Sequence, residues 1–318
     1  MKKLLYLVHR IPYPPNKGDK ISSFNLLKYL ARSYQIYLGT FIDHPDDWQH
    51  TPKLHALCAD ACFVGIKPRT ARLTSLRGLL NDEALTLAYY RSATLQTWVN
   101  TVCAEQQLDA VLIYSSAMGQ YVPDQLTIRA RTLFDMEDVD SDKWRSYAET
   151  RRWPLSWLYA RESRKLLAYE RAMAAQFNVS VFISASEAAL FRQLAPEVAE
   201  RVTHRIQGVD SNFYRPDLDL ANPYPANRRV LVFCGAMDYW PNIDGVRWFV
   251  DQVLPTVIAD APDVLFAIVG MTPAIEGRKL AQRPQVLVTG AVPDVRPYVL
   301  HAQAVVLPLR IARGIQNK

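Results

Sequence analysis

Short apolar runs rich in branched residues alternate along this chain with amphipathic stretches of helical period. Lys3–Val8 is continuously apolar, as a strand buried on both faces should be. The loop that follows, Arg10–Lys20, holds three prolines, which forbid helix, and Gly18, which permits a tight turn. Ser22 or Ser23 then caps a helix with Phe24, Leu27 and Leu30 on its apolar face, and Gln35–Phe41 reads as the next strand. Strand, helix, strand makes a βαβ unit. The alternation continues through strands at Ala61–Ile66, Ala110–Tyr114, Thr132–Phe134, Val179–Ser184 and His204–Gln207. Helices are predicted at Glu83–Glu105, Ser141–Glu149 and Ser156–Ala174, and from Ser186 onward.

Between Asp210 and Arg228 the periodicity stops, and Pro216, Pro223, Pro225, Asn222 and Asn227 mark an extended linker. It restarts with strands Arg229–Cys234, Val264–Val269, Gln285–Val288 and Ala304–Leu307, separated by helices Asn242–Ile258, Ala274–Ala281 and Asp294–His301. The expected fold class is therefore α/β, with two Rossmann-like doubly wound domains, 1–217 and 218–318, facing a cleft. Ligands in such folds bind beyond the carboxyl ends of the strands, so the loops there are where chemistry should lie.

Composition narrows the classes. In 318 residues, 49% hydrophobic and 21% charged side chains supply enough core to exclude wholesale disorder. No apolar run approaches the length of a spanning helix, and the start of the chain lacks a signal-peptide pattern. The expectation is a cytoplasmic protein. Cys58, Cys62, Cys103 and Cys234 do not make a disulfide framework; Cys58 and Cys62 with His55 lack a second ligand pair, so no metal is expected. The net charge of +6 asks for an anionic partner. One segment, Lys143 to Arg171, concentrates eight Lys and Arg against three Glu, interleaved with Trp144, Trp153 and Trp157. Such a segment suits a lipid headgroup surface or nucleic acid, or is a pair of solvated helices. No nucleic-acid motif accompanies it, so nucleic acid is not expected as a partner.

Four loops carry candidate chemistry. Gly235 directly follows a buried strand and Asn242 opens the next helix, the setting in which backbone N–H groups cradle a phosphate. Gly18, Asp19 and Lys20 occupy the equivalent place in the first half. Asp135–Asp142 packs five carboxylates after a strand, suited to sugar hydroxyls or proton transfer, and Asp138 and Asp140 are the catalytic candidates. Finally, Arg310, Arg313 and Lys318 surround Gly314 beyond the last strand, a cation set suited to a diphosphate. Neither GxGxxG nor GxxxxGK[ST] occurs.

These motifs together carry a resemblance that covers the whole chain. Leu-Val-His-Arg-Ile-Pro-Tyr-Pro-Pro-Asn-Lys-Gly-Asp-Lys, Asp-Val-Asp-Ser-Asp-Lys-Trp, Gly-Val-Asp-Ser-Asn-Phe-Tyr-Arg-Pro, Gly-Ala-Met-Asp-Tyr-Trp-Pro-Asn and Arg-Gly-Ile-Gln-Asn-Lys resemble the GT-B sugar transferases of glycosyltransferase family 4, in the branch associated with exopolysaccharide and PEP-CTERM gene clusters. The resemblance implies a retaining, metal-independent transfer from a nucleotide diphosphate sugar, with no cofactor, to a lipid-linked or polysaccharide acceptor. It places Gly235 and Asn242 near the diphosphate, Gly290 to Val292 near the base, and Arg310, Asn317 and Lys318 at the phosphates, with Gly18 to Lys20 closing over the donor. It puts the enzyme at the inner face of the cytoplasmic membrane, with 143–171 against an anionic surface. Arg313 stands where most members have the first of two glutamates, so no glutamate contact to the sugar is implied. Further βα units follow this point in the family. The resemblance thus implies that the second domain is C-terminally truncated and that the chain alone is weakly active or inactive. A nucleotide-sugar epimerase of the same architecture is the enzymatic alternative, and an anionic-surface binding protein the non-enzymatic one.

Overall fold

A computed structural model describes residues 1–270 and 279–310. The chain divides into two compact units, Met1–Gln207 and Gly208–Lys318. The first contains seven strands: β1 (Lys2–Val8), β2 (Tyr34–Ile42), β3 (Asp60–Gly65), β4 (Ala110–Tyr114), β5 (Arg131–Glu137), β6 (Val179–Phe182) and β7 (Val202–His204). All pair in parallel, in the order β3-β2-β1-β4-β5-β6-β7. Successive side chains of β1 go to opposite faces. Leu5 and Leu7 join Val99, Phe134 and Phe177 in one layer, and Leu4, Tyr6 and Val8 join Phe24 and Leu27 in the other. Strand order reverses between β1 and β4, which makes their carboxyl ends the topological switch point.

The second unit repeats the plan with β8 (Arg229–Cys234), β9 (Val264–Val269), β10 (Val286–Gly290) and β11 (Ala304–Val305), parallel in the order β10-β9-β8-β11. Its switch point lies between β8 and β11. Residues 208–228 pack on this unit. The Arg296 guanidinium lies 3.9 Å from the Phe213 ring centroid, the Tyr224 hydroxyl donates to the Tyr298 carbonyl (2.7 Å), and His301 Nε2 meets the Leu220 carbonyl (2.7 Å). The compact division thus falls earlier than residue 217.

Two predicted helices differ from the structure for local reasons. Glu83–Glu105 divides into Leu85–Tyr89 and Ala93–Glu105. Ser92 sits in extended backbone and its Oγ accepts from the Leu95 N–H (3.3 Å), so a cap interrupts what periodicity alone reads as continuous. The helix expected to begin at Asn242 begins at Trp240 and runs to Trp248, widens into a π turn at Phe249–Val253, and resumes as Leu254–Asp260. Pro255 has no N–H to continue the ladder, and the wider turn absorbs the missing bond. The predicted helix at Ala274–Ala281 falls mostly outside the described residues. Cys58 and Cys62 pack into opposite layers of the first sheet, and burial pushes the Cys58 thiol up to about 12.

Candidate functional site

In the first unit, the first turns of the helix Gly18–Leu30 lie over the sheet and are tied to it by polar groups. The Tyr6 hydroxyl donates to the Ser23 carbonyl (3.2 Å), the Tyr114 hydroxyl reaches the Asp19 carbonyl (3.2 Å), and Arg205 Nη2 donates to Ser22 Oγ (2.9 Å). Arg205 also donates through Nε to Asp135 (2.8 Å), whose carboxylate is 1% exposed. Buried charges must be paired, and the carboxylates along this edge are met by guanidinium groups. Arg10 bridges Asp19 (2.7 Å) and Asp43 (2.9 Å). Burial works to raise the Asp19 carboxyl, but the hydrogen bond from His9 and the Arg10 charge hold it well below the usual carboxylate range.

Glu137 is the exception. It ends β5 with a left-handed φ of 60°, and the pairing with β6 slips by one residue between Asp135 and Glu137. A non-glycine residue in that region is strained, and such strain recurs at functional sites. The bulge carries the Glu137 carboxyl to the Tyr114 hydroxyl, from which it accepts a hydrogen bond. Burial, outweighing that hydrogen bond and reinforced by the charges of Asp135 and Asp138, pushes the Glu137 carboxyl up to about 8. His9 closes the same corner: its ring stacks on Tyr114 with an interplanar angle of 2°, and its buried Nδ1 makes no hydrogen bond.

The sequence-predicted residues of this unit fall around that centre. Asp19 faces it through its carbonyl. Gly18, expected in the loop, is the first residue of the helix. Lys20 is buried and bound to Asp47 at 2.7 Å, so its charge is already neutralised. Asp138 is half-buried beside Glu137, and Asp140 opens the helix Asp140–Thr150, 3.4 Å from Ser116 Oγ and 3.9 Å from the Lys143 ammonium. Glu137, Tyr114 and Arg205 were not singled out by sequence. A bulge and a left-handed residue leave no compositional trace, and Glu137 was one carboxylate among five.

The second unit offers backbone instead of side chains. Gly235 after β8 donates its N–H to the Val269 carbonyl (3.0 Å), and Gly270 after β9 donates to the Gly290 carbonyl at the end of β10 (3.2 Å). Three glycines therefore stand side by side along the carboxyl edge. A Cβ on Gly270 would lie 1.8 Å from the Gly235 carbonyl oxygen, so only glycine allows this approach. Gly290 has a φ of 72° and open space where a side chain would be. Asn242 does not face that space. It is buried and its amide donates to the Ala236 carbonyl (2.8 Å), fastening the loop that follows Gly235. Val292 packs against the core cluster of Val230, Val232 and Ala267. Arg310, beyond β11, is paired through Nε with Asp244 (3.1 Å). Gly314, Asn317 and Lys318 lie outside the described residues. Gly270 is the residue missed here, although it follows a buried strand just as Gly235 does.

Residues 228–318 match the family described as glycosyl transferases group 1. The chain is a glycosyl-transfer enzyme. Among solved structures, sucrose-phosphate synthase from Thermosynechococcus elongatus matches all of this chain and 77% of its own, with a TM-score of 0.66 at 15% identity. The UDP-forming α,α-trehalose-phosphate synthase from Burkholderia xenovorans, solved with glucose-6-phosphate, matches 99% of this chain and 80% of its own (TM-score 0.60, 12% identity). CalG4, the calicheamicin glycosyltransferase, matches 96% and 74% (TM-score 0.53, 12% identity). These likenesses establish the GT-B fold for the transferase. No curated protein matches the chain.

Proposed function

We propose that this enzyme is a retaining, metal-independent glycosyltransferase that moves a sugar from a nucleotide diphosphate sugar to a lipid-linked or polysaccharide acceptor, in exopolysaccharide or cell-envelope glycan synthesis. The observation that carries the reading is the row of three glycine backbones at the strand ends of the second unit, with Arg310 at the switch point. A diphosphate needs close backbone approach and a guanidinium, and both stand where a nucleotide binds in doubly wound sheets. Arg310 Nε lies 3.1 Å from Asp244, and its side chain is more than half exposed, within reach of a ligand's phosphate oxygens. Positive charge there stabilises the departing nucleoside diphosphate, the work a metal ion does in other transferases. Membership of glycosyltransferase family 4, and of its PEP-CTERM-associated branch, rests on the motif resemblance.

On the acceptor side, Glu137 is the proton acceptor for the incoming hydroxyl, held by Tyr114 and close to neutrality in its titration. Asp138 and Asp140 extend the same carboxylate edge toward sugar hydroxyls. We place the enzyme in the cytoplasm, peripherally on the inner membrane face, with no nucleic-acid partner. Among the described residues no helix is long and apolar enough to cross a membrane.

Nucleoside diphosphate binding to Arg310→Ala, followed by thermal shift or calorimetry, tests the donor assignment. The loss should be about 1.5–3 kcal/mol, the range for hydrogen bonds to charged groups. Unchanged affinity removes the donor site from this position. Labelled-donor product analysis distinguishes transfer from epimerisation, because an epimerase converts the sugar without an acceptor.

A further inference from the structure

Much of the positive charge of segment 143–171 is spent inside the fold. Arg145 is held by Asp142 and Glu149, Arg171 by Glu197 and Lys165 by Asp82. Arg161 is buried and donates to the Gly78 (3.0 Å) and Glu83 (2.9 Å) carbonyls. What remains exposed without an ion pair among the described residues is Arg164 and the hairpin tip: Arg151, Arg152, Trp153, Leu155 and Trp157, where Trp153 is 80% exposed.

A second segment, absent from the sequence-level expectation, lies beside it. Residues 67–80 contain Lys67, Arg69, Arg72 and Arg77 and no carboxylate. They form the helix Pro68–Ser75 and the turn Leu76–Leu79, with an inverted distribution of polarity. Ser75 and Gly78 face inward, whereas Leu73, Leu76 and Leu80 are 71%, 44% and 88% exposed. A surface helix normally buries its leucines. Here three leucines stand in solvent among four cations, none of which is in an ion pair with a described residue.

The two segments are joined through the long helix Leu155–Gln176. Trp157 is one turn before Arg161, on the same side of that helix, and Arg161 clasps Gly78, two residues before Leu80. Glu162 accepts from the Leu85 and Thr86 N–H groups at 2.7 and 2.8 Å, fixing the chain just beyond. Among the described residues, six of the seventeen exposed large apolar side chains thus fall in these two short segments, ringed by arginine.

We infer that residues 67–80 and the tip 151–157 form one docking face for an anionic lipid bilayer, with Leu73, Leu76, Leu80, Trp153 and Trp157 entering the headgroup boundary and the surrounding arginines meeting lipid phosphates. Charge complementarity selects this occupant: the face is cationic throughout, and exposed leucine and tryptophan amid arginine is the composition of an interfacial helix. An acidic protein partner or a second copy of this chain would leave the leucines no better covered than water does unless it brought an apolar face of its own. The inference deepens the proposed transfer to a lipid-linked acceptor by naming the surface that meets the membrane.

The test is co-sedimentation of the full chain with phosphatidylcholine vesicles and with mixed phosphatidylcholine–phosphatidylglycerol vesicles, for the natural chain and three variants. Arg69→Gln/Arg72→Gln/Arg77→Gln should weaken binding to the mixed vesicles about a hundredfold, given roughly fivefold per arginine near an anionic surface. Leu73→Ser/Leu76→Ser/Leu80→Ser should also weaken it at least about tenfold, through lost apolar burial. Trp248→Ser, an exposed aromatic in the other unit, should bind as the natural chain does. Because the substituted leucines and arginines are exposed, melting curves should not move. Equal binding to both vesicle types, or undiminished binding by the leucine variant, overturns the inference. So does lipid-free self-association that the leucine variant abolishes. Nucleoside diphosphate affinity of the same variants should be unchanged, so a failure of the membrane face and a failure of the donor site read out separately.

Discussion

At the carboxyl ends of its strands the first unit is crowded with ionisable side chains, whereas the second presents little but backbone. Around β1, β4 and β5 stand Asp19, Arg10, Asp135, Arg205, Glu137 and Tyr114, bound to one another within a buried shell. Around β8, β9 and β10 stand Gly235, Gly270 and Gly290, bound through main-chain atoms. The difference separates two ways of building a site on one fold. A charged cluster must neutralise itself before it can be buried, so its chemistry lies in whichever group is left poised, here Glu137. A glycine edge has no charge to neutralise and depends on distances alone. The first unit should therefore answer to pairing and pH, the second to the addition of a single carbon.

Breaking the pairing should have the largest effect. Arg205→Met leaves the Asp135 carboxylate, 1% exposed, without its cation. Orphaning a buried charge costs about 3–5 kcal/mol, and Arg205 is partly exposed, so about 3 kcal/mol or somewhat more is expected in urea unfolding. Asp135 should respond by taking up a proton, in the direction burial already pushes it. A loss below about 1 kcal/mol would mean that water replaces the guanidinium without cost, and the self-neutralised cluster would then not be what holds the first site.

The second unit should respond to volume. Gly270→Ala places a methyl group against the Gly235 carbonyl, a backbone atom that has no rotamer by which to retreat. A cost of about 2–3 kcal/mol is expected, in the upper part of the range for overpacking, with loss of nucleoside diphosphate binding. Gly290→Ala meets open space and differs only in its left-handed φ, so about 1 kcal/mol should suffice. Equal stability of the two variants by thermal melting would refute the contrast between close approach and conformational freedom.

How far each site was legible follows from the same contrast. The strand-end positions of Gly235 and Arg310 were readable because strand, glycine and helix succeed one another in sequence. The strand alternation was readable too, since a parallel sheet buried on both faces demands continuous apolar runs such as Val264–Val269. Partnerships were not. Lys20 looks like a free cation in sequence, yet Asp47, 27 residues on, neutralises it. Arg205 meets Asp135 across 70 residues, and the cap at Ser92 that divides one predicted helix is a local rotation with no signature in periodicity. For residues 73–80 the sequence pattern raised no expectation, and it is the burial of Ser75 and Gly78 that shows the leucines facing outward.

Glu137→Gln should be the mildest change near pH 5 and the most informative across pH. The folded carboxyl titrates at about 8, above the ordinary value of 4.5 that applies once the chain unfolds. Between these values the unfolded state releases its proton while the folded state keeps it. The folded state then binds more protons, so stability falls as pH rises from about 4.5 to 8. Gln has no proton to release and removes that contribution to the slope, while its amide oxygen still accepts from Tyr114. At pH 5 the two proteins should differ by less than about 1 kcal/mol, the scale of one neutral hydrogen bond, and above it the Gln variant should become progressively the more stable. In the reaction proposed for Glu137 the ionised form is the one that accepts the proton. The rate of the natural enzyme should climb with pH toward a plateau above 8, and the Gln variant should be slower by about 10²–10⁴ and lose that climb. Denaturation midpoints and kcat/KM measured on the same pH series decide both. Parallel stability slopes would show that Glu137 titrates as an ordinary surface carboxylate, and an unchanged rate profile would move the proton acceptor to a neighbouring carboxylate such as Asp138 or Asp140.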